Sequence, residues 1–303
     1  MFNKFIASIL PYFPKKFIWI FSKSYISGET IEDAIRVSKE LNAKKIKVTI
    51  DILSDFIETL EEAEANKKDS LELIDVIIEN KIDGNVSIKP TSFGLLIDKD
   101  VCYNHIREIV AKAASLNQFI RIDMEDSLCT DMELEQYKKL KAEFPNTVGL
   151  VLQSYLKRTL KDIENLLDTH ESTTPLNFRL CKGIYVEPAE IAYKKYKEIN
   201  AHYLEDLEFM FKNKMYVGIA THDKELIVGA YDLIKKYDVP NNMYEFQMLY
   251  GVTPNLRDHV VANGHTMRVY VPFGKQWFGY STRRLRENPK MTSHIIKAIF
   301  YKG

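Results

Sequence analysis

Asn177-Phe178-Arg179-Leu180-Cys181 and Tyr216-Val217-Gly218-Ile219-Ala220 are short runs rich in apolar residues, and between them Glu187 to Lys212 carries apolar residues at helical spacing. Strand, helix and strand in that order make a unit whose strands pair in parallel. The same alternation extends outward. Upstream lie candidate strands Lys45 to Ile50, Asn85 to Lys89, Phe119 to Met124 and Val148 to Gln153, and downstream lie Tyr244 to Met248 and Met267 to Val271. Helical periodicity recurs over Asp100 to Ala114, Met132 to Phe144 and Asp223 to Tyr237. Gly28-Glu29-Thr30 reads as a loop into a further helix, with Thr30 as N-cap and Asp33 at the acid position of a capping box. Eight strands alternating with helices predict an α/β fold, a (β/α)8 TIM barrel over 29–303 with an N-terminal helical arm over 1–28. Glu61 to Asp69 reads as a solvated helix end or loop.

The competing architecture is a doubly wound open sheet. None of the twelve glycines is followed two positions later by another, so the GxGxxG turn of a dinucleotide domain is missing, as is a GxxxxGK[ST] loop. A nucleotide would have to be held by other means.

The 303 residues are 46% hydrophobic, enough for a large core, and 42 basic residues balance 42 acidic ones. A nucleic-acid partner is therefore not expected. Cys102, Cys129 and Cys181 are odd in number and widely spaced, which fits neither a disulfide framework nor a CxxC site and points to a reducing, cytoplasmic setting. Met1 to Phe21 is rich in Phe, Ile, Leu and Trp, but its longest charge-free stretch, Phe5 to Pro14, falls short of the ~20 residues a transmembrane helix needs. It reads as an arm packed on the domain, with peripheral membrane contact as the alternative.

Barrel enzymes carry their chemistry at the C-terminal ends of the strands. Here those ends offer Asp51, Lys89, Asp123, Met124, Glu125, Gln153, Lys182, Thr221, His222, Asp223 and Gln247, with Arg179 inside its strand and Tyr270 on the last. Arg179 and Lys89 sit among apolar neighbours, where an unpaired charge is strongly disfavoured, so partners such as Asp123 or Glu245 are expected. Both could form structural ion pairs or face an anionic ligand. No HxH pair supports a metal-dependent hydrolase, and no metal is expected. In the last helix Tyr280, Arg283, Arg284 and Glu287 share one broad face. Paired guanidiniums suit a carboxylate, although Glu287 could equally neutralise them on a surface helix.

Taken in order, Val86-Ser87-Ile88-Lys89-Pro90, Arg121-Ile122-Asp123-Met124-Glu125, Val151-Leu152-Gln153-Ser154-Tyr155, Arg179-Leu180-Cys181-Lys182-Gly183-Ile184-Tyr185, Ala220-Thr221-His222-Asp223, Glu245-Phe246-Gln247-Met248-Leu249-Tyr250-Gly251, Arg268-Val269-Tyr270-Val271-Pro272 and Tyr280-Ser281-Thr282-Arg283-Arg284-Leu285 resemble the proline dehydrogenases, flavin enzymes with a distorted barrel. The resemblance implies oxidation of L-proline to 1-pyrroline-5-carboxylate with FAD, and a quinone as electron acceptor. It implies that Arg283, Arg284 and Lys89 bind substrate, with Leu249, Tyr270 and Tyr280 walling its ring. Asp123 and Arg179 would stand at the active centre, Arg179 near the flavin N5. Met124, Gln153, Arg179, Lys182, Gly183, Ile184, Thr221 and His222 would hold FAD. Tyr280, where hydroxyproline-preferring relatives carry a smaller residue, favours proline.

The chain departs from the family pattern in two places. Ser54-Asp55 replaces a Gly-Glu pair whose carboxylate gates the substrate through the first helical Arg, and Ile184 replaces an alanine beside the flavin.

Overall fold

The computed structural model describes residues 15–54 and 57–287. Eight parallel strands close into a barrel in chain order: β1 (Lys47–Ile52), β2 (Gly84–Ile88), β3 (Ile120–Ile122), β4 (Val148–Gln153), β5 (Asn177–Cys181), β6 (Tyr216–Ala220), β7 (Tyr244–Leu249) and β8 (Met267–Phe273). Outside them lie α1 (Lys15–Ser22), α2 (Ile31–Asn42), α3 (Leu60–Glu79), α4 (Lys99–Ser115), α5 (Thr130–Glu143), α6 (Thr159–Asn165), α7 (Tyr196–Lys212), α8 (Lys224–Lys236), α9 (Pro254–Ala262) and α10 (Trp277–Glu287). The open-sheet alternative is excluded by closure of β8 onto β1.

Local chemistry accounts for the boundaries. Thr30 caps α2 and exchanges bonds with Asp33 as the sequence predicts. Of the two readings of Glu61 to Asp69 the helix end holds and the loop does not: the stretch is the start of α3, because Thr59 and Glu62 form a second capping box there. β1 starts later than predicted, since Lys45 turns with φ +60°. Lys89 lies just past β2 as the extended N-cap residue of a 3-10 turn over Pro90–Phe93. The β3 ladder ends at Ile122, leaving Asp123 and Met124 beyond it. The predicted Glu187 to Lys212 helix begins only at Tyr196. The preceding stretch instead crosses to the loop after β4, with an antiparallel bridge between Leu156 and Ala192.

Alternation along the strands divides the barrel into two environments. Val48, Ile50, Val86, Ile120, Leu150, Phe178, Leu180, Ile219, Phe246 and Val269 are buried in the apolar layer shared with the helices. On most strands their neighbours are polar and meet inside the barrel: Thr49 donates to Asn85 at 2.6 Å, and Arg121 donates to the Asn177 carbonyl at 2.9 Å. Gly149 makes room for Arg121, because a Cβ there would lie 2.4 Å from its guanidinium. The usual branched apolar filling of such barrels is thus replaced by hydrogen-bonded groups.

The arm packs at one edge of the mouth. Ile18 of α1 is fully buried with Tyr25, Ile26, Leu53, Trp277 and Tyr280, and Ser22 donates to Ser281 at 2.7 Å. The predicted arm residues 1–14 lie outside the described residues. Among the described residues no helix is long and apolar enough to cross a membrane.

On α7, Asp206 is fully buried behind the end of β4, 3.5 Å from His202, whose Nδ1 donates to the Ser154 carbonyl at 2.6 Å. Burial pushes its carboxyl up to about 8. Since an unfolded aspartate titrates near ~3.9, the native state holds more protons than the unfolded chain between about pH 4 and about pH 8, and stability falls as pH rises through that window. Asp206→Asn removes this dependence. The melting temperature of the variant relative to wild type is expected to rise between about pH 5 and about pH 8; a pH-independent difference would contradict the buried acid.

Candidate active site

The strand ends bring the predicted residues into one mouth, organised around Asp123. Its Oδ1 accepts from Ser87 Oγ at 2.7 Å and Arg179 Nη1 at 2.8 Å, while Oδ2 accepts from the Tyr270 hydroxyl at 2.8 Å. Arg179 is 5% exposed, and its guanidinium lies 5.0 Å from the Tyr270 ring centre. Burial first, and the Asp123 charge second, hold the Tyr270 phenol well above its usual range, so it remains a donor to Asp123. Of the two carboxylates expected as partners, Asp123 thus pairs with Arg179. Lys89 has a different partner: its Nζ lies 2.6 Å from Asp51 Oδ1, both residues being buried. Asp51 lies inside β1, not after it, and Glu245 pairs with Arg268 at 2.5 Å.

Leu249 ends β7 beside Tyr270 in the ladder and packs on the cluster containing Tyr280, which is 2% exposed. The three predicted ring walls therefore share one side of the mouth. Arg283 and Arg284 fall in α10, but their side chains lie outside the described residues, as does Asp55.

The other predicted set follows β3, β4, β5 and β6. Met124 is buried after β3, and Gln153 donates from Nε2 to the Glu125 carbonyl at 2.7 Å. Lys182 pairs with Asp223; burial opposes the aspartate's charge, but Lys182, Tyr196 and Asn200 outweigh it and lower its carboxyl to about 2. Gly183 has φ +107°, and a Cβ would lie 2.0 Å from the Tyr155 ring, so the turn before half-buried Ile184 requires glycine. Thr221 is buried and accepts from the Asp223 amide at 3.1 Å.

Both His222 nitrogens are engaged. Nε2 accepts from the Leu249 amide at 3.2 Å, which leaves Nδ1 to donate to Thr253 Oγ1 at 3.0 Å. Burial lowers this imidazole to about 4, keeping it neutral. Ligand contact is therefore left to its ring faces rather than its nitrogens. Among the described residues no group of three or more His, Cys, Asp or Glu could hold a metal ion.

Sequence reasoning assigned no role to Ser87 or Asp51. The signal was available as polar residues alternating with Val86, Ile88, Ile50 and Ile52.

A family model described as proline dehydrogenase matches residues 34–297. The chain belongs to the proline dehydrogenase family. It is 32% identical over 281 residues to proline dehydrogenase 1 of Bacillus subtilis, covering 93% of this chain and 91% of the relative. It is 33% identical over 286 residues to the proline dehydrogenase of Deinococcus radiodurans, covering 93% and 91%. The crystal structure of proline utilization A from Bdellovibrio bacteriovorus inactivated by N-propargylglycine aligns with a TM-score of 0.84 and 25% identity, covering 92% of this chain and 34% of that one. The chain is thus a proline dehydrogenase enzyme whose barrel corresponds to about a third of that longer protein.

Within this proline dehydrogenase the donor set is chemically compatible with a flavin held without a glycine fingerprint. Arg179 within β5 and Gln153 at the end of β4 lie on adjoining strands, and Lys182 and His222 follow the ends of β5 and β6, so two cations, an amide and an imidazole ring are gathered on one arc.

Proposed function

We propose that the chain oxidises L-proline to 1-pyrroline-5-carboxylate, with FAD held on the β3 to β6 arc of the mouth and proline against β7, β8 and α10. The observation carrying this reading is the Asp123 centre: one carboxylate joins Arg179 of the first arc to Tyr270 of the second. Bound FAD supplies the two-electron acceptor for the hydride leaving the carbon beside the ring nitrogen.

The chain's own residues supply binding and orientation. Arg283 and Arg284 grip the carboxylate with paired N–H donors, and Lys89 adds a cation from the β2 side. Leu249, Tyr270 and Tyr280 pack against the ring and exclude water, with Tyr280 favouring proline over hydroxyproline. Holding the substrate in one pose can contribute several kcal/mol to the rate. Electrons pass on to a quinone.

Arg283→Ala and Arg284→Ala test the substrate side. Charge-assisted contacts are worth ~1.5–3 kcal/mol, so each variant should raise the proline KM roughly 10- to 150-fold while the cofactor stays bound. An unchanged KM in both would overturn the carboxylate assignment.

A further inference from the structure

We infer that Gln247 is a positioning residue for Arg179, its amide oriented by the buried Glu245–Arg268 ion pair and given room by Gly218. This rests on the assignment of Arg179 to the reacting centre. Glu245 and Gln247 are two apart on β7 and face the barrel interior together. Gln247 Oε1 accepts from Arg179 Nε at 2.7 Å, and Gln247 Nε2 donates to Glu245 Oε1 at 2.7 Å. Arg268 holds both Glu245 oxygens, at 2.5 Å from Nε and 3.1 Å from Nη2, and anchors itself on the Val48 carbonyl at 2.8 Å.

Only one amide orientation satisfies this chain. Glu245 is 2% exposed; burial opposes its charge, but Arg268 and the surrounding donors outweigh it and keep the carboxyl below its usual range. An ionised carboxylate only accepts and the Arg179 Nε–H only donates, so a flipped amide would set donor against donor and acceptor against acceptor. Asp123 takes Nη1 of the same guanidinium at 2.8 Å. Two acceptors on different nitrogens then fix the direction of the Arg179 plane.

Gly218 completes the device. It pairs with Arg179 on one side and Glu245 on the other, and a Cβ there would lie 2.3 Å from Gln247 Nε2 and 2.8 Å from its Cδ. Apolar filling of the same volume would avoid the desolvation of four polar side chains. What the polar chain adds is a single orientation for the one member that reaches the mouth.

The test uses Gln247→Leu, which removes the amide, and Gly218→Ala, which crowds it while leaving its chemistry intact. In 15N-arginine-labelled protein without flavin, the Nε–H resonance missing from Arg179→Ala identifies this group. Its hydrogen exchange should be at least about tenfold faster in both variants. In flavin-loaded protein, anaerobic reduction by L-proline should slow at least about tenfold in both, with proline affinity within about twofold of wild type. Gln247→Leu should add nothing in an Arg179→Ala background. Unaltered Nε–H exchange, wild-type reduction in the two variants while Arg179→Ala is slow, or additivity in the double variant would overturn the positioning role alone. Wild-type reduction in Arg179→Ala would overturn the assignment of Arg179, and the inference with it.

Discussion

Arg179→Ala is expected to slow reduction of the bound flavin by L-proline roughly 10²- to 10³-fold, the range for losing one preorganised donor at a site of developing charge. Proline affinity should change far less, because the carboxylate contacts are assigned to α10. The size of the effect follows from burial: Arg179 is 5% exposed and held by Asp123 and Gln247, so its charge is neither screened nor free to reorient. Stopped-flow reduction under anaerobic conditions reads the rate directly. A rate close to wild type would remove Arg179 from the reacting centre.

Asp51→Ala is expected to give the largest loss of stability, about 3–5 kcal/mol, because it takes the carboxylate away from a lysine that stays buried. Lys89 and Asp51 are 7% and 1% exposed, so water cannot readily replace the lost partner. Replacing both, as Lys89→Met with Asp51→Leu, should recover much of that stability while leaving proline binding weakened, since Lys89 is assigned to the substrate. Urea unfolding of the two variants, set beside proline titration of the double variant, separates the two effects. A loss under about 1 kcal/mol for Asp51→Ala would show that the pair is no buried ion pair in solution.

The barrel itself was legible in the alternation of apolar runs and helical stretches, and three of the strands, Val148–Gln153, Asn177–Cys181 and Tyr216–Ala220, end where the sequence places them. Errors fell where local chemistry overrode periodicity. Lys45 sits in a left-handed turn ahead of β1, and the Glu187 stretch carries apolar residues at helical spacing yet crosses to the loop after β4. For the charged Glu61 to Asp69 segment, read as a helix end or a loop, the Thr59 and Glu62 capping box, as readable as the one at Thr30, decides for the helix.

At the site, a buried guanidinium demands a carboxylate; the sequence offered Asp123 or Glu245 for Arg179 and Lys89 without choosing, and only Asp123 serves, on Arg179, while Glu245 pairs with Arg268. It could not place Lys89 with Asp51, because that choice depends on which strands are neighbours and on their register. The polar interior was present as a period of two along β1, β2, β3, β5, β7 and β8, but each of these strands alone reads as an ordinary half-buried one. Only closure of the barrel reveals that the polar faces meet one another instead of solvent.

The most direct measurement is the visible spectrum of the purified, FAD-reconstituted protein before and after anaerobic addition of L-proline. The account predicts a yellow protein whose flavin absorbance bleaches on adding proline. A protein that cannot take up FAD, or whose bound flavin stays oxidised in saturating proline, would contradict it.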